Sequence, residues 1–247
     1  MRVSQQPAYI LHHYSYGETS LLLEVFTRSY GRLGLLAKGA RRLHLRQRPL
    51  LEPFQPVLMG WSGKGELPVL SGVELVGDPV FLQGSTLYCA FYVNELLLRL
   101  LHRHDPHERL FDAYGAALCA LHGQSSVEVT LRVFEKRLLQ EIGYGLVLEN
   151  DMTDNTPIDP TQVYRYVVNH GPVRLTGDNG AHELDHIVTV HGATLLALAK
   201  EALGDATVLQ ETKILMRAAL GHHLAGRPLN TRKLFRNIKH TPFGEGD

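Results

Sequence analysis

The chain is poor in cysteine, tryptophan, net charge and long apolar runs, and most of these shortages remove a class of protein. Only two cysteines, Cys89 and Cys119, occur in 247 residues, too few for a disulfide framework or a four-cysteine zinc site. Both sit in apolar, helix-like surroundings, where a free thiol behaves as a small buried hydrophobe, as in proteins of reducing compartments. No stretch reaches the ~18 apolar residues of a membrane span. The opening Met1-Arg2-Val3-Ser4-Gln5-Gln6-Pro7 has neither the apolar core nor the cleavage site of a secretory signal, so a cytoplasmic location away from membranes is expected. Phosphate-binding glycine loops are missing as well: Gly63-Lys64-Gly65 is too short, and Gly143-Tyr144-Gly145 follows a helical pattern instead of a strand. There is no strand-to-helix nucleophile elbow. These absences argue against a nucleotide motor and against a serine hydrolase.

What is present is an ordinary globular composition, 44% hydrophobic and 20% charged, in which 25 Lys or Arg balance 25 Asp or Glu. The charges are unevenly distributed. Residues 1–48 carry eight cations against two acids, residues 145–190 seven acids against two arginines, and residues 207–240 seven cations against one acid. Residues 38–48, Lys-Gly-Ala-Arg-Arg-Leu-His-Leu-Arg-Gln-Arg, concentrate five cations and no acid. Such a segment in a neutral chain creates a local positive field to which a polyanion responds, and a nucleic acid backbone is the natural partner. The competing reading is a set of solvated faces that balance one another.

Apolar or β-branched runs over residues 8–13, 19–27, 32–38, 50–61 and 66–75, separated by turn formers, predict five short strands. Pro53 and Pro56 imply that the fourth is bulged or lies at an edge. Five strands in this length suit a small OB-type barrel. Beyond Asp78-Pro79 the period becomes helical. Helices are expected to about residue 102 after the cap candidates Ser85 and Thr86, over 108–121, over 125–142 with a Ser125/Glu128 capping box and a stop at Gly143, and over 193–203, 206–224 and 231–239. Residues 149–179 read as a polar loop with a hairpin around 163–168. The expected organisation is a barrel over residues 1–80 and a helical domain over 81–247, with 149–190 a small irregular or hairpin insertion.

Several constellations compete for chemistry. His182-Glu183-Leu184-Asp185-His186 matches the zinc-protease pattern, in which two histidines one helical turn apart hold the metal and the glutamate activates its water. It follows the turn-forming Gly177-Asp178-Asn179-Gly180 and runs into Ile187-Val188-Thr189-Val190, which is poor helix, and the third histidine of a metzincin is missing. His102, His104 and His107 cluster around Asp105-Pro106 without an assured convergent geometry. A zinc-dependent hydrolase and a protein-only adaptor with basic docking segments are therefore the alternatives to a nucleic-acid binder. Tyr14, Tyr16, Phe26, Tyr30, Phe54 and Trp61 fall in the barrel region, where outward-facing rings could stack on unpaired bases; about two in three are expected to fill the core.

Taken together, Gly17-Glu18-Thr19-Ser20-Leu21-Leu22-Leu23-Glu24-Val25-Phe26-Thr27, Gly31-Arg32, Ala37-Lys38-Gly39-Ala40-Arg41 and Leu51-Glu52-Pro53-Phe54 resemble the RecO family of bacterial recombination mediators. Leu87-Tyr88, Tyr92-Val93-Asn94-Glu95-Leu96-Leu97, Phe134-Glu135, Gly143-Tyr144-Gly145 and Gly226-Arg227-Pro228-Leu229 through Leu234-Phe235 continue the resemblance in order along nearly the whole chain. The resemblance implies an N-terminal OB-fold followed by a helical domain, and a non-enzymatic function. It implies binding to single- and double-stranded DNA, annealing of complementary strands, and work with RecR to replace single-stranded-DNA-binding protein by RecA recombinase. Many relatives carry a four-cysteine zinc module, for which residues 149–190 lack the cysteines, so no metal or other cofactor is expected. Lys38, Arg41 and Arg42 match the family's basic strand end and loop, and Arg46 and Arg48 extend it. Arg132, with Lys136 beside it on the polar face of the third helix, matches a position associated with docking the acidic tail of single-stranded-DNA-binding protein. The alternative is an Arg132 paired with Glu128 or Glu135 one turn away.

Overall fold

Strand alternation near the N-terminus closes on itself. In the computed structural model, which describes residues 2–42, 48–63, 65, 67–123, 125–175 and 187–231, the strands β1 (Arg2–Tyr16), β2 (Ser20–Thr27), β3 (Gly31–Ala37), β4 (Val57–Ser62) and β5 (Val69–Leu75) form a closed barrel in the order β1-β2-β3-β5-β4. Neighbours are antiparallel except β3 and β5, which run parallel through Leu36 and Val69. The fifteen residues of β1 serve two partners, β2 and β4, and bend between them at irregularities between Val3 and Gln6 and between Ile10 and His12. Ile10, Leu23, Val25, Leu33, Leu35, Val57 and Met59 point inward and fill the barrel. Truncating one of these leucines to Ala should cost roughly 2–5 kcal/mol through lost transfer energy and the cavity left behind.

The fourth strand starts later than its apolar run suggests. Pro53 and Pro56 precede Val57, so neither removes a ladder donor, and β4 is paired on both sides instead of lying at an edge. Its register against β5 shifts between Gly60 and Trp61, away from the prolines.

Two compact units follow from the packing: Met1–Gln124 with the chain from Leu229 onward, and Ser125–Pro228. The strand-to-helix change expected near residue 80 is present, but the first unit runs past it because the helices α1 (Gly84–Leu100) and α2 (Glu108–His122) cover part of the barrel. On that covered face Tyr9 meets Tyr114 edge-on with centroids 4.9 Å apart, and Phe26 meets Phe111 at 5.5 Å. Gly115 lets the sheet approach: a Cβ there would lie 2.8 Å from the Tyr9 hydroxyl. Leu11, the extra residue of the β1 bulge, has its carbonyl satisfied by the buried Asn94 amide at 2.8 Å, and the Asn94 oxygen accepts from the Tyr114 hydroxyl at 2.6 Å. Helix α1 has Gln83 at its N-cap without a side-chain cap, whereas Ser85 and Thr86 lie inside the first turn.

The same unit contains a clasp. Glu95 of α1 accepts from the Asn230 and Thr231 amides at 2.8 and 2.9 Å, from the Thr231 hydroxyl at 2.8 Å and from Arg99 at 2.7 Å. Burial alone would raise the Glu95 carboxyl, but these donors outweigh it and hold the group below the usual range. The clasp returns the chain to α1 after the second unit.

The second unit contains α3 (Val127–Glu141), an antiparallel sheet of order β7-β6-β8 built from β6 (Val163–Val167), β7 (Gly171–Arg174) and β8 (Ile187–His191), and the helices α4 (Gly192–Ala199) and α5 (Ala206–His223). The N-cap of α3 is Ser126, one residue after the expected Ser125, with its hydroxyl 3.5 Å from the Val129 amide. Gly143, in the left-handed region, donates to Gln140 while Tyr144 donates to Leu139 at 2.8 Å, a Schellman closure at the expected stop. Within 149–190 the described residues form more than a hairpin: Ile187-Val188-Thr189-Val190 adds a third strand, and Tyr164, Tyr166, Val188 and Val190 are buried. Residues 176–186, including His182, Glu183 and His186, and residues 232–247, including the expected 231–239 helix beyond its first residue, lie outside the described residues.

Candidate nucleic-acid interface

The basic segment begins where β3 leaves the barrel. Ala40 is buried, and a short 3-10 turn over Ala40–Arg42 presents Arg41 to solvent. The Arg41 amide donates to the Thr19 carbonyl at 2.9 Å and its guanidinium makes a long contact, 3.4 Å, with the Gly17 carbonyl. The cation is thereby held against the β1–β2 turn. Lys38, the residue after β3, is exposed beside it. A second short turn, Arg48–Leu51, ends on the buried Leu51, so the segment is anchored to the barrel core at both sides. The backbones of Arg42 and Arg48 belong to these turns. Arg46 lies outside the described residues.

Several other barrel-unit cations are already neutralised. Arg28 pairs with Asp112 at 2.9 Å, and Arg103 pairs with the buried Glu24, toward which Arg32 also turns at 3.9 Å. Among the described residues Lys38 and Arg41 form no ion pair, so their charge faces solvent and is available to a polyanion.

The six aromatics singled out in the barrel divide as core packing dictates. Phe26, Phe54 and Trp61 are buried, and the half-buried Tyr30 packs edge-on against Trp61 at 5.3 Å. Tyr14 and Tyr16 remain 49% and 50% exposed near the end of β1.

The expected peptide-docking cations are occupied. Arg132, its side chain only 11% exposed, pairs with the buried Glu135, the alternative raised by the helical spacing. Lys136 donates to the Ala199 carbonyl at 2.8 Å and to Glu201 at 3.2 Å, while Arg137 contacts Glu201 at 2.6 Å. Burial would raise the Glu201 carboxyl, but the Arg137 and Lys136 hydrogen bonds lower it below its ordinary range. These contacts join α3 to the end of α4.

The histidine cluster at 102–107 serves the barrel. His104 donates its amide to the Arg32 carbonyl at 2.8 Å and Arg103 bridges to Arg32, so this loop completes the edge of β3 that β5 does not reach. Gly31 makes room for it: with φ at +64° it sits where a Cβ would collide with the Asp105 carbonyl. Among the described residues no three His, Cys, Asp or Glu side chains are grouped to hold a metal, and no helix is long and apolar enough to cross a membrane. Sequence reading missed the Glu24–Arg32–Arg103 cluster and the Glu95 clasp. The former had one visible signal, an acid at an outward position of a strand otherwise apolar on both faces.

A five-stranded barrel of this order, with cations and exposed rings beside its β1–β2 turn and helices appended, belongs to the OB class of binding barrels. Known proteins narrow the class. The family model described as "Recombination protein O N terminal" matches residues 1–78, and "Recombination protein O C terminal" matches residues 82–233. The "DNA repair protein RecO" of Nitrosospira multiformis is 46% identical over 239 residues, covering 96% of this chain and 97% of its own. Those of Aromatoleum aromaticum, 43% identical with 96% and 97% covered, and of Coxiella burnetii, 44% identical with 94% and 98% covered, are similar to the same extent. The chain belongs to the RecO family of DNA repair proteins, which are non-enzymatic recombination mediators.

Proposed function

We propose that this protein binds single- and double-stranded DNA through the segment 38–48, anneals complementary strands and, with RecR, helps RecA recombinase replace single-stranded-DNA-binding protein in the bacterial cytoplasm. The observation that carries the reading is the pair of exposed cations, Lys38 and Arg41, at the barrel end of a segment with five cations in a chain of zero formal charge. Annealing needs no active site: a cationic surface holding two strands lowers their repulsion and raises their local concentration until base pairing takes over. Backbone contacts carry no base information, so no sequence specificity is expected.

If Lys38, Arg41, Arg42, Arg46 and Arg48 all meet phosphates of one strand, they contribute a log-affinity versus log-salt slope of about −3.5. Replacing all five with Ala should flatten the measured slope by that amount and slow annealing of coated complementary strands. An unchanged slope removes the segment from the DNA site.

Docking of the acidic tail of single-stranded-DNA-binding protein at Arg132 belongs to the same proposal. A guanidinium already paired with a carboxylate has the chemistry to exchange Glu135 for another carboxylate. Lys136, tied to Ala199 and Glu201, would support the helix there. Titration of a labelled tail peptide against Arg132→Ala tests this, and undiminished binding refutes it. The hydrolase alternative at His182, Glu183 and His186 has no supporting observation, and the family is non-enzymatic.

A further inference from the structure

We infer that Tyr14 and Tyr16 form a base-stacking platform, so that single-stranded nucleic acid is held by its bases on the outer face of β1 as well as by its phosphates. The inference rests on the DNA-binding reading above and deepens it. Strand register supplies the geometry. Residues paired across antiparallel strands share a face. Tyr14 pairs with Leu22, which pairs with Leu36, and Tyr16 pairs with Ser20, next to the Leu21–Ala37 pair after which Lys38 leaves β3. The opposite face is the barrel core, with Leu23, Leu35 and Ala37 inside it. Tyr14 and Tyr16 therefore stand outside, the Tyr14 row ending on half-buried leucines and Lys38, exposed, following the end of β3.

Further along β2 this outer face is occupied. Phe26 is covered by the aromatics of α2, and Glu24 is covered by its arginine partner. The strip containing Tyr14 and Tyr16 keeps about half of each tyrosine's surface in water. Two exposed aromatics beside two unpaired cations are complementary to a polymer that alternates flat apolar bases with anionic phosphates. An acidic peptide would use the cations and leave the rings idle. His12 packs edge-on against Tyr14 with centroids 4.5 Å apart and steadies that ring, while Arg41 is moored to the Gly17 carbonyl one residue beyond Tyr16.

Spacing defines the ligand further. Side chains two apart on one strand face are separated by about 6.8 Å, twice the ~3.4 Å rise of stacked bases. Both rings can be used at once only by a strand whose bases are unstacked or by every second base. Double-stranded DNA, whose base faces are covered by neighbouring pairs, offers no surface to these rings. Single strands are therefore favoured at this face, and a strand held extended presents its pairing edges to a complement.

The test compares an intact oligonucleotide with an abasic one of the same length, using the full chain across a salt series. Wild-type protein is expected to bind the intact strand at least about tenfold more tightly, since each stacked base contributes at least a several-fold factor. Tyr14→Ala/Tyr16→Ala should abolish that preference while leaving the salt slope unchanged, and Tyr14→Phe/Tyr16→Phe should retain it. Equal wild-type affinity for the two strands, or a preference that survives the double Ala variant, overturns the platform while leaving phosphate binding intact. Failure of wild-type protein to bind either strand at low salt overturns the DNA-binding reading itself. Photocrosslinking of wild-type protein to a halogenated-pyrimidine strand needs no variant: adducts on Tyr14 or Tyr16 support the platform, and adducts only elsewhere refute it.

Discussion

Glu95→Ala should release the chain at residue 230 from the barrel unit. The carboxylate receives two backbone amides, one hydroxyl and one guanidinium, at distances between 2.7 and 2.9 Å. Hydrogen bonds to a charged group contribute roughly 1.5–3 kcal/mol each when considered singly, but the freed Asn230 amide is exposed and recovers water, while Thr231 is buried. Without the carboxylate the net loss should be about 2–3 kcal/mol, and with Glu95→Gln, which keeps an acceptor and loses the charge, about 1 kcal/mol. For a protein of this size that corresponds to lowering the melting temperature by roughly 4–10 °C for Ala and less for Gln. Because the folded carboxyl lies below its ordinary range, its contribution is fully present above the unfolded value near 4.3 and is lost as pH falls through the folded value. The gap between wild type and Glu95→Gln should therefore be constant at neutral pH and close in acid. Hydrogen exchange at the Asn230 and Thr231 amides is the direct assay. Unchanged protection of these two amides in Glu95→Ala would refute the clasp.

Asn94→Leu should cost about 2–4 kcal/mol in chemical denaturation, because it strands the buried Leu11 carbonyl and removes the acceptor of the Tyr114 hydroxyl bond; a change within 0.5 kcal/mol would be inconsistent with that network. Gly31→Ala combines left-handed strain with a collision against the Asp105 carbonyl and should displace the 101–107 loop, read as new exchange at the His104 amide; unaltered protection counts against it. Glu201→Gln should destabilise the second unit at neutral pH, with the difference from wild type fading as pH falls below about 4, since the carboxyl is held down by Arg137 and Lys136; a difference that persists in acid contradicts this assignment.

The readable parts of the sequence were those governed by neighbours in the chain. Apolar and β-branched runs between turn formers placed all five barrel strands, helical period placed α1, α2, α3, α4 and α5, and Gly143 marked a true stop. Boundaries moved where a local signal had two outlets. Proline at 53 and 56 is equally compatible with a bulged strand and with the approach to one, and Ser125 and Ser126 are equally good caps by composition. The third strand at Ile187–His191 was harder to see, because a five-residue apolar run has no period of its own until a partner is known.

The sequence by itself determined the barrel-then-helices order, the concentration of cations at 38–48 and the family, because residue type, spacing and ordered motifs are properties of the chain. Only the tertiary structure decided which charges are spent and which remain. Glu24 meets Arg103 across 79 residues, and Glu95 meets Thr231 across 136, whereas Lys38 and Arg41, no different in composition, face solvent. The same holds for the rings: Phe26 is buried under α2 while Tyr14 and Tyr16 on the same barrel face stay exposed. Side-chain chemistry is local, but desolvation depends on which distant segment comes to cover a residue, and that is settled by packing.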